Sequence, residues 1–326
     1  MSERNAIIFD LYRGTSHDGP GLRTTIFFKG CPLRCAWCHN PEGIAPQPQI
    51  WWDARRCIGC LRCREACPSG ALHAGETGIR IDAPLCRHCG ACVRACPSKA
   101  QSYTGEEWSA ERLLHEALKD EPYYKAFGGG VTASGGEPMA QHESVCTLFR
   151  QLKARSVHTA LDTCGNVPWS SYESVLPWTD CVLYDLKVMD PERHRFFTGC
   201  TNERILDNLS RIAAYIRTER PDLQLWIRTP LIPGATDSEE NLLQISQFIQ
   251  KHLSGIIGRW ELCAFNNICK SKYDKMHKVW MFADQPLLPQ SRIDSVRRLL
   301  LHDGFPEALL VISGVIAAPK SDTSMR

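Results

Sequence analysis

Two eleven-residue runs constrain this chain more than any other feature. Residues 57–67 read Cys-Ile-Gly-Cys-Leu-Arg-Cys-Arg-Glu-Ala-Cys, and residues 86–96 read Cys-Arg-His-Cys-Gly-Ala-Cys-Val-Arg-Ala-Cys. A proline follows each, Pro68 or Pro97, and every cysteine recurs 29 residues later. The chain holds seventeen cysteines, and eleven fall in tight clusters, four in each run and three at positions 31–38. In an exported chain such numbers suggest disulfides. The N-terminal Met-Ser-Glu-Arg-Asn-Ala-Ile-Ile-Phe-Asp lacks the apolar core of an export signal, so a cytoplasmic location is expected. In a reducing compartment, clustered thiols point to metal.

The spacing C-x2-C-x2-C-x3-C-P is that of bacterial two-cluster ferredoxins. Three thiolates wrap one 4Fe–4S cluster, and the fourth, carried away by the proline turn, reaches the other. This assigns Cys57, Cys60, Cys63 and Cys96 to one cluster and Cys86, Cys89, Cys92 and Cys67 to the second. Zinc sites use paired C-x2-C units instead, without the duplicated trailing proline. The segment 48–104, between Pro46/Pro48 and Gly105, is read as a ferredoxin-like α+β insert. It divides the rest of the chain into 1–47 and 105–326. So short an insert depends on its clusters as much as on its core.

Outside the insert, short β-rich runs alternate with helical patterns. Strands are expected at 24–29, 130–133, 157–161, 181–185, 224–229 and 259–264, and helices at 109–121 and 237–252 among others. This is an α/β pattern with a parallel sheet, open or closed into a barrel. Polar residues gather where the strands end: Cys31, Ser134-Gly-Gly-Glu-Pro138, Asp162-Thr-Cys-Gly165, Asp185-Leu-Lys187, Arg228 and Phe265-Asn-Asn267. In α/β barrels the C-terminal strand ends build the active site.

Cys31, Cys35 and Cys38 lie within eight residues, with no fourth cysteine before Cys57. A cubane cluster has four irons, so three thiolates leave one open. An open position separates a working metal site from a structural one, by the logic of catalytic zinc. The amino and carboxylate groups of an amino acid can chelate that iron, and S-adenosylmethionine carries such a head group. A formal net charge of +2 gives no electrostatic case for nucleic acid or an anionic membrane. No apolar run reaches the ~18 residues of a membrane helix.

Cys31-x3-Cys35-x2-Cys38, with Trp37 before the last cysteine, resembles the signature of radical S-adenosylmethionine enzymes. Asp18-Gly-Pro-Gly, Ser134-Gly-Gly-Glu-Pro, Asp162-Thr163 and Asp185-Leu-Lys187 narrow the resemblance to the activating enzymes of glycyl radical enzymes, relatives of pyruvate formate-lyase activase. The insert marks their longer subgroup, and the likeness spans roughly residues 7–275. It implies a partial (β/α)6 TIM-like radical SAM barrel. It also implies three 4Fe–4S clusters, one of them binding S-adenosylmethionine, and a monovalent cation near the cofactor. The expected protein partners are a glycyl radical enzyme as substrate and flavodoxin or ferredoxin as electron donor, with the chain itself a monomer.

The same resemblance implies residue roles. The backbone around Trp37, Cys38 and His39 contacts adenine. Gly135 and Gly136 let backbone approach the ligand, and Glu137 accepts from the methionine ammonium. Asp185, Leu186 and Lys187 face the ribose and carboxylate. Asp162 and Thr163 help hold the cation, and Arg228 binds the cofactor or braces the barrel. Asp18 meets the incoming glycine loop. Relatives often carry a histidine where this chain has Asn266, which puts one adenosine contact in doubt. Two rival functions fit less of the sequence: a radical S-adenosylmethionine enzyme acting on a small molecule or peptide, and a simple electron carrier. Cys146, Cys164, Cys181, Cys200, Cys263 and Cys269 receive no role.

Overall fold

A computed structural model describes residues 5–75 and 78–317. The first residues of the N-terminal segment and the end of the C-terminal one, as divided above, lie outside the described residues.

Thirteen strands form among the described residues. They are β1 (Ala6–Thr15), β2 (Arg23–Phe28), β3 (Gln49–Trp52), β4 (Leu72–Gly75), β5 (Gly78–Ile81), β6 (Gln101–Thr104), β7 (Glu106–Trp108), β8 (Gly130–Gly135), β9 (His158–Thr163), β10 (Cys181–Asp185), β11 (Gln224–Leu231), β12 (Ile257–Ala264) and β13 (Leu310–Ser313). Nine make one sheet in the order β13-β12-β11-β10-β9-β8-β2-β1-β7. From β2 through β13 every neighbouring pair in it is parallel, and β1 runs antiparallel to β2 and β7.

All six expected strands are present, and the architecture is a mixed α/β fold with a large parallel sheet. β13 extends it by one parallel strand that the sequence pattern did not suggest. β1 was also unexpected: its burial is irregular along its length, so it lacks a clean two-residue alternation. By contrast β2 is buried at every residue, as a strand covered on both faces must be.

The helices cap as their sequences dictate. Ser109 accepts from Arg112 N at 3.2 Å and starts the helix Ala110–Leu118. Expected as one helix to 121, this stretch stops there, and a second helix, Glu121–Phe127, follows with a proline in its first turn. Ser238 caps Glu239–His252 in the same way, accepting from Asn241 N at 3.3 Å. The main core lies between these helices and the sheet, with Val131, Leu161, Val182 and Ile227 among its fully buried strand residues.

The cysteine-rich segment folds around two small antiparallel pairs, β3–β6 and β4–β5. It has its own core of Ile50, Trp52, Leu72, Ile79 and Ala100. Among the described residues no helix is long and apolar enough to cross a membrane.

Candidate functional site

A cavity of about 410 Å³ opens at the C-terminal ends of the parallel strands. The loop from Gly30 to Ile44 forms part of its wall. Gly30 N donates to Gly43 O at 2.7 Å and Cys31 N to Ile44 O at 3.0 Å, which closes the loop at its base. Ala36 N donates to Phe197 O at 2.8 Å. Two aromatic side chains hold it from the far end of the chain: Trp280 Nε1 donates to Ala36 O at 3.0 Å and Tyr273 OH to Cys38 O at 2.9 Å. Held this way, Cys31, Cys35 and Cys38 all line the cavity, with Trp37 and His39.

The sheet supplies the rest by register. Asp185 on β10 lies beside Arg228 on β11, and Arg228 beside Glu261 on β12. Arg228 Nη1 donates to Asp162 Oδ1 at 3.3 Å, and Ser134 Oγ donates to Asp162 Oδ2 at 2.7 Å. Lys187, 8% exposed, pairs with Asp185. Burial alone would lower the lysine's proton affinity, but the Asp185 carboxylate and the nearby Cys35 and Cys164 thiols more than offset it, holding the ammonium above its ordinary value. His39 sits with Nε2 3.0 Å from Asn266 O, and burial pushes its pKa down.

Two atoms in this row stand unsatisfied: Arg228 Nε and Glu261 Oε2 are buried, have no hydrogen-bond partner and lie 3.8 Å apart. Buried polar groups left unpaired are rare and call for a ligand or water. The thiols pose the same question. Burial pushes Cys35 up to about 12 and raises Cys38 further. Two such buried thiols ionise only against a strong positive partner, which iron supplies. Among the described residues no three His, Cys, Asp or Glu side chains converge enough to hold a single metal ion. A cubane asks for something else, since each of its thiolates takes a different iron. The donor set fits that group, and the cavity's charged wall fits a polar cofactor.

The structure also shows where the other expected residues sit. Glu137 does not line the cavity. It is fully buried, its Oε1 accepting from Met139 N at 3.0 Å and Thr163 Oγ1 at 2.9 Å, and its Oε2 from Cys164 N at 2.7 Å. Leu186 points into the core, and only its backbone works near the site, donating to Arg228 O at 2.9 Å. Arg228 lies within β11 and not at its end. Asp18 does not line the cavity and accepts from Thr25 Oγ1 at 2.7 Å, while its neighbour His17 does line it. Gly135 and Gly136 line the cavity, but what forbids a side chain there is protein: a Cβ would fall 2.3 Å from Phe28 O or 2.3 Å from Gly43 O. The expected Asp162, Asp185, Lys187, Arg228 and Asn266 all reach the cavity.

In the cysteine-rich segment, Cys57, Cys60, Cys63 and Cys96 line one small cavity together. The Cys92 thiol is pushed up to about 11 by burial and then by Cys86 and Cys67. The first grouping brings together the four cysteines expected to act as one set, and the second brings together three of the other four, without Cys89.

Residues 56–100 match the family model of the 4Fe–4S dicluster domain. Over 305 residues the chain is 39% identical to the trans-4-hydroxy-L-proline dehydratase activating enzyme of Clostridioides difficile, covering 92% of this chain and 98% of that one. It is 40% identical to the (2S)-3-sulfopropanediol dehydratase activating enzyme of Klebsiella oxytoca, over 82% of this chain and 84% of the relative. It is 38% identical to the benzylsuccinate synthase activating enzyme of Thauera aromatica, over 82% and 80%. The chain belongs to the glycyl radical enzyme activating enzymes.

Sequence reasoning passed over Glu261 and gave Cys263 no role, and both line this activating enzyme's site. Both sit inside β12 and carry no motif, and only the strand register brings Glu261 beside Arg228. Asp162 offers a test of the site's electrostatics. Burial, only partly opposed by Arg228, pushes its carboxyl up to about 6 from an ordinary 3.8. A proton therefore binds the folded state more tightly than the unfolded one. This group's contribution to stability is present below about 4 and is lost as pH rises through about 6. Thermal melts between pH 4 and 7 are expected to show wild type gaining stability on acidification relative to Asp162→Asn. Parallel curves would refute the shift.

Proposed function

We propose that the chain cleaves S-adenosylmethionine reductively at a 4Fe–4S cluster held by Cys31, Cys35 and Cys38. The products are methionine and a 5′-deoxyadenosyl radical, which takes the Cα hydrogen of one glycine in a partner glycyl radical enzyme. What supports this reading is one cavity lined both by three thiols and by Asp162, Asp185, Lys187 and Arg228. When bound, the cluster supplies one electron to the sulfonium and one open iron to the amino-acid head group.

The chain's own residues orient the cofactor and exclude water. Lys187 and Arg228 bring positive charge to the carboxylate, and Asp185 accepts from the ribose. The backbone at Trp37 to His39, with Asn266, takes the adenine. Asp162 and Thr163 offer oxygens to a monovalent cation. Glu137 acts one layer back, fixing the turns that carry Met139 and Cys164. Asp18 stands at the approach of the partner's glycine loop.

Segment 48–104 is the ferredoxin-like insert of a partial radical SAM barrel made by 1–47 and 105–326. It holds two further 4Fe–4S clusters, which makes three per chain. They carry electrons from a flavodoxin or ferredoxin, and the chain works as a monomer. The test is electron paramagnetic resonance of candidate glycyl radical enzymes mixed with this chain, a reductant and S-adenosylmethionine. A glycine-centred doublet is expected with the right partner. Turnover of a small molecule with no doublet from any candidate would overturn the reading.

A further inference from the structure

The insert repeats itself, so its halves can be compared position by position. The 29-residue period reaches the backbone. Left-handed residues pair as Gly59 with His88 (φ 69° and 52°), Leu61 with Gly90 (57° and 68°) and Gly70 with Lys99 (65° and 55°). The same shift carries β3 onto β5 and β4 onto β6. Trp52 is opposite Gln101 in the β3–β6 pair, and Ile81 is opposite Leu72 in the β5–β4 pair. These are equivalent places with unlike chemistry. One half carries an indole and an amide, the other two aliphatic side chains.

The polar pair shares a cavity with four thiols. Trp52 and Gln101 line the cavity shared by Cys57, Cys60, Cys63 and Cys96. They are 5% and 1% exposed, and the indole Nε1 and both amide heteroatoms lack a hydrogen-bond partner. Buried donors left unpaired are destabilising, so two in one small cavity imply an acceptor there. A cluster's sulfurs are such acceptors. An N–H aimed at them stabilises the reduced, more negative cluster and raises its potential. Leu72, 4% exposed, and Ile81 offer no donor at the equivalent places, and the ring nitrogen beside a thiol of that set, His88 Nδ1, lies 3.9 Å from Cys86 Sγ on a half-buried side chain.

The same half is tied to the loop of Cys31, Cys35 and Cys38. The Trp52 ring occupies the space beside Gly78, where a Cβ would lie 2.3 Å from it. On its other contact it stacks on His277, with centroids 5.3 Å apart and planes 12° from parallel. His277 continues the stretch whose Tyr273 and Trp280 donate to the carbonyls of Cys38 and Ala36. Lys275 adds a cation over the Trp51 ring at 5.0 Å.

We propose that the Cys57, Cys60, Cys63 and Cys96 site holds the higher-potential cluster of the insert, set by N–H donors from Trp52 and Gln101, and is the site from which an electron leaves for the catalytic loop. This rests on the cluster reading above. One electron enters from a protein donor of the flavodoxin or ferredoxin class. The cluster at Cys86, Cys89, Cys92 and Cys67 is oxidised as its neighbour is reduced, and that neighbour is reoxidised as the catalytic cluster takes the electron.

The experiment is a redox titration of the fully loaded chain followed by electron paramagnetic resonance. Two accessory signals with separate midpoints are expected. Trp52→Phe and Gln101→Leu should each lower the upper one by about tenfold in equilibrium constant, about 59 mV for one electron, leaving the lower one in place. The reciprocal Leu72→Gln should raise the lower midpoint. His277→Ala should leave both midpoints alone but slow reduction of the catalytic cluster by a protein donor. Coincident wild-type midpoints, or Trp52 and Gln101 variants that move the lower signal or neither, overturn the potential assignment. An unchanged rate in His277→Ala overturns the exit. A wild-type chain that never binds a third cluster would instead defeat the functional reading, with the two accessory midpoints still readable.

Discussion

Replacing Cys31, Cys35 and Cys38 together by alanine is expected to abolish S-adenosylmethionine cleavage and to remove one cluster while the other two stay. Iron should fall from ~12 to ~8 per chain, at four per cubane. The fold should survive, for a structural reason. The loop that carries these residues is fastened by main-chain bonds to Gly43, Ile44 and Phe197 and by the side chains of Tyr273 and Trp280, none of which uses a cysteine sulfur. The insert has a separate core and separate thiols. The variant should therefore keep the accessory resonance signals and give no methionine even with a strong chemical reductant. Residual cleavage at more than a few per cent, or loss of all iron, would falsify the assignment of the open site to these three residues.

Much of this site was legible because two patterns were strong. Strand–helix alternation placed six parallel strands, and in a parallel sheet the C-terminal ends converge, so residues as distant as Ser134, Asp162, Asp185 and Arg228 could be grouped without coordinates. The duplicated cysteine spacing likewise grouped Cys57 with Cys96 across the insert. Register and side-chain direction were not legible. Glu261 looks like any mid-strand residue until pairing sets it beside Arg228. Residues 274–282 break the strand–helix rhythm, and nothing local reveals that they strap the cysteine-rich segment to the loop of Cys31, Cys35 and Cys38 through His277 and Trp280. Motif position left side-chain direction open as well. Glu137 falls in the glycine-rich stretch after β8, but a motif does not say which way a carboxylate turns.

Glu137 carries the second large effect, now on stability. Glu137→Ala should destabilise the α/β fold by on the order of 3–5 kcal/mol, since it strands the buried N–H groups of Met139 and Cys164, at about 1–3 kcal/mol for each, and leaves a void besides. The Thr163 hydroxyl loses less, because it keeps the Tyr172 hydroxyl at 2.8 Å. Glu137→Gln preserves volume and one acceptor oxygen but turns an amide N–H₂ towards a donor, so a loss of about 1–3 kcal/mol is expected. Urea unfolding followed by tryptophan fluorescence measures both. Binding of S-adenosylmethionine to the folded, cluster-loaded Gln variant separates the two roles a carboxylate could play here. A group that braces the turns from outside the cavity should cost stability and leave affinity within about threefold. A group that grips the ammonium should do the reverse, because a lost charged hydrogen bond is worth about 1.5–3 kcal/mol, more than tenfold in affinity. The three protein donors already around both carboxylate oxygens favour the first outcome.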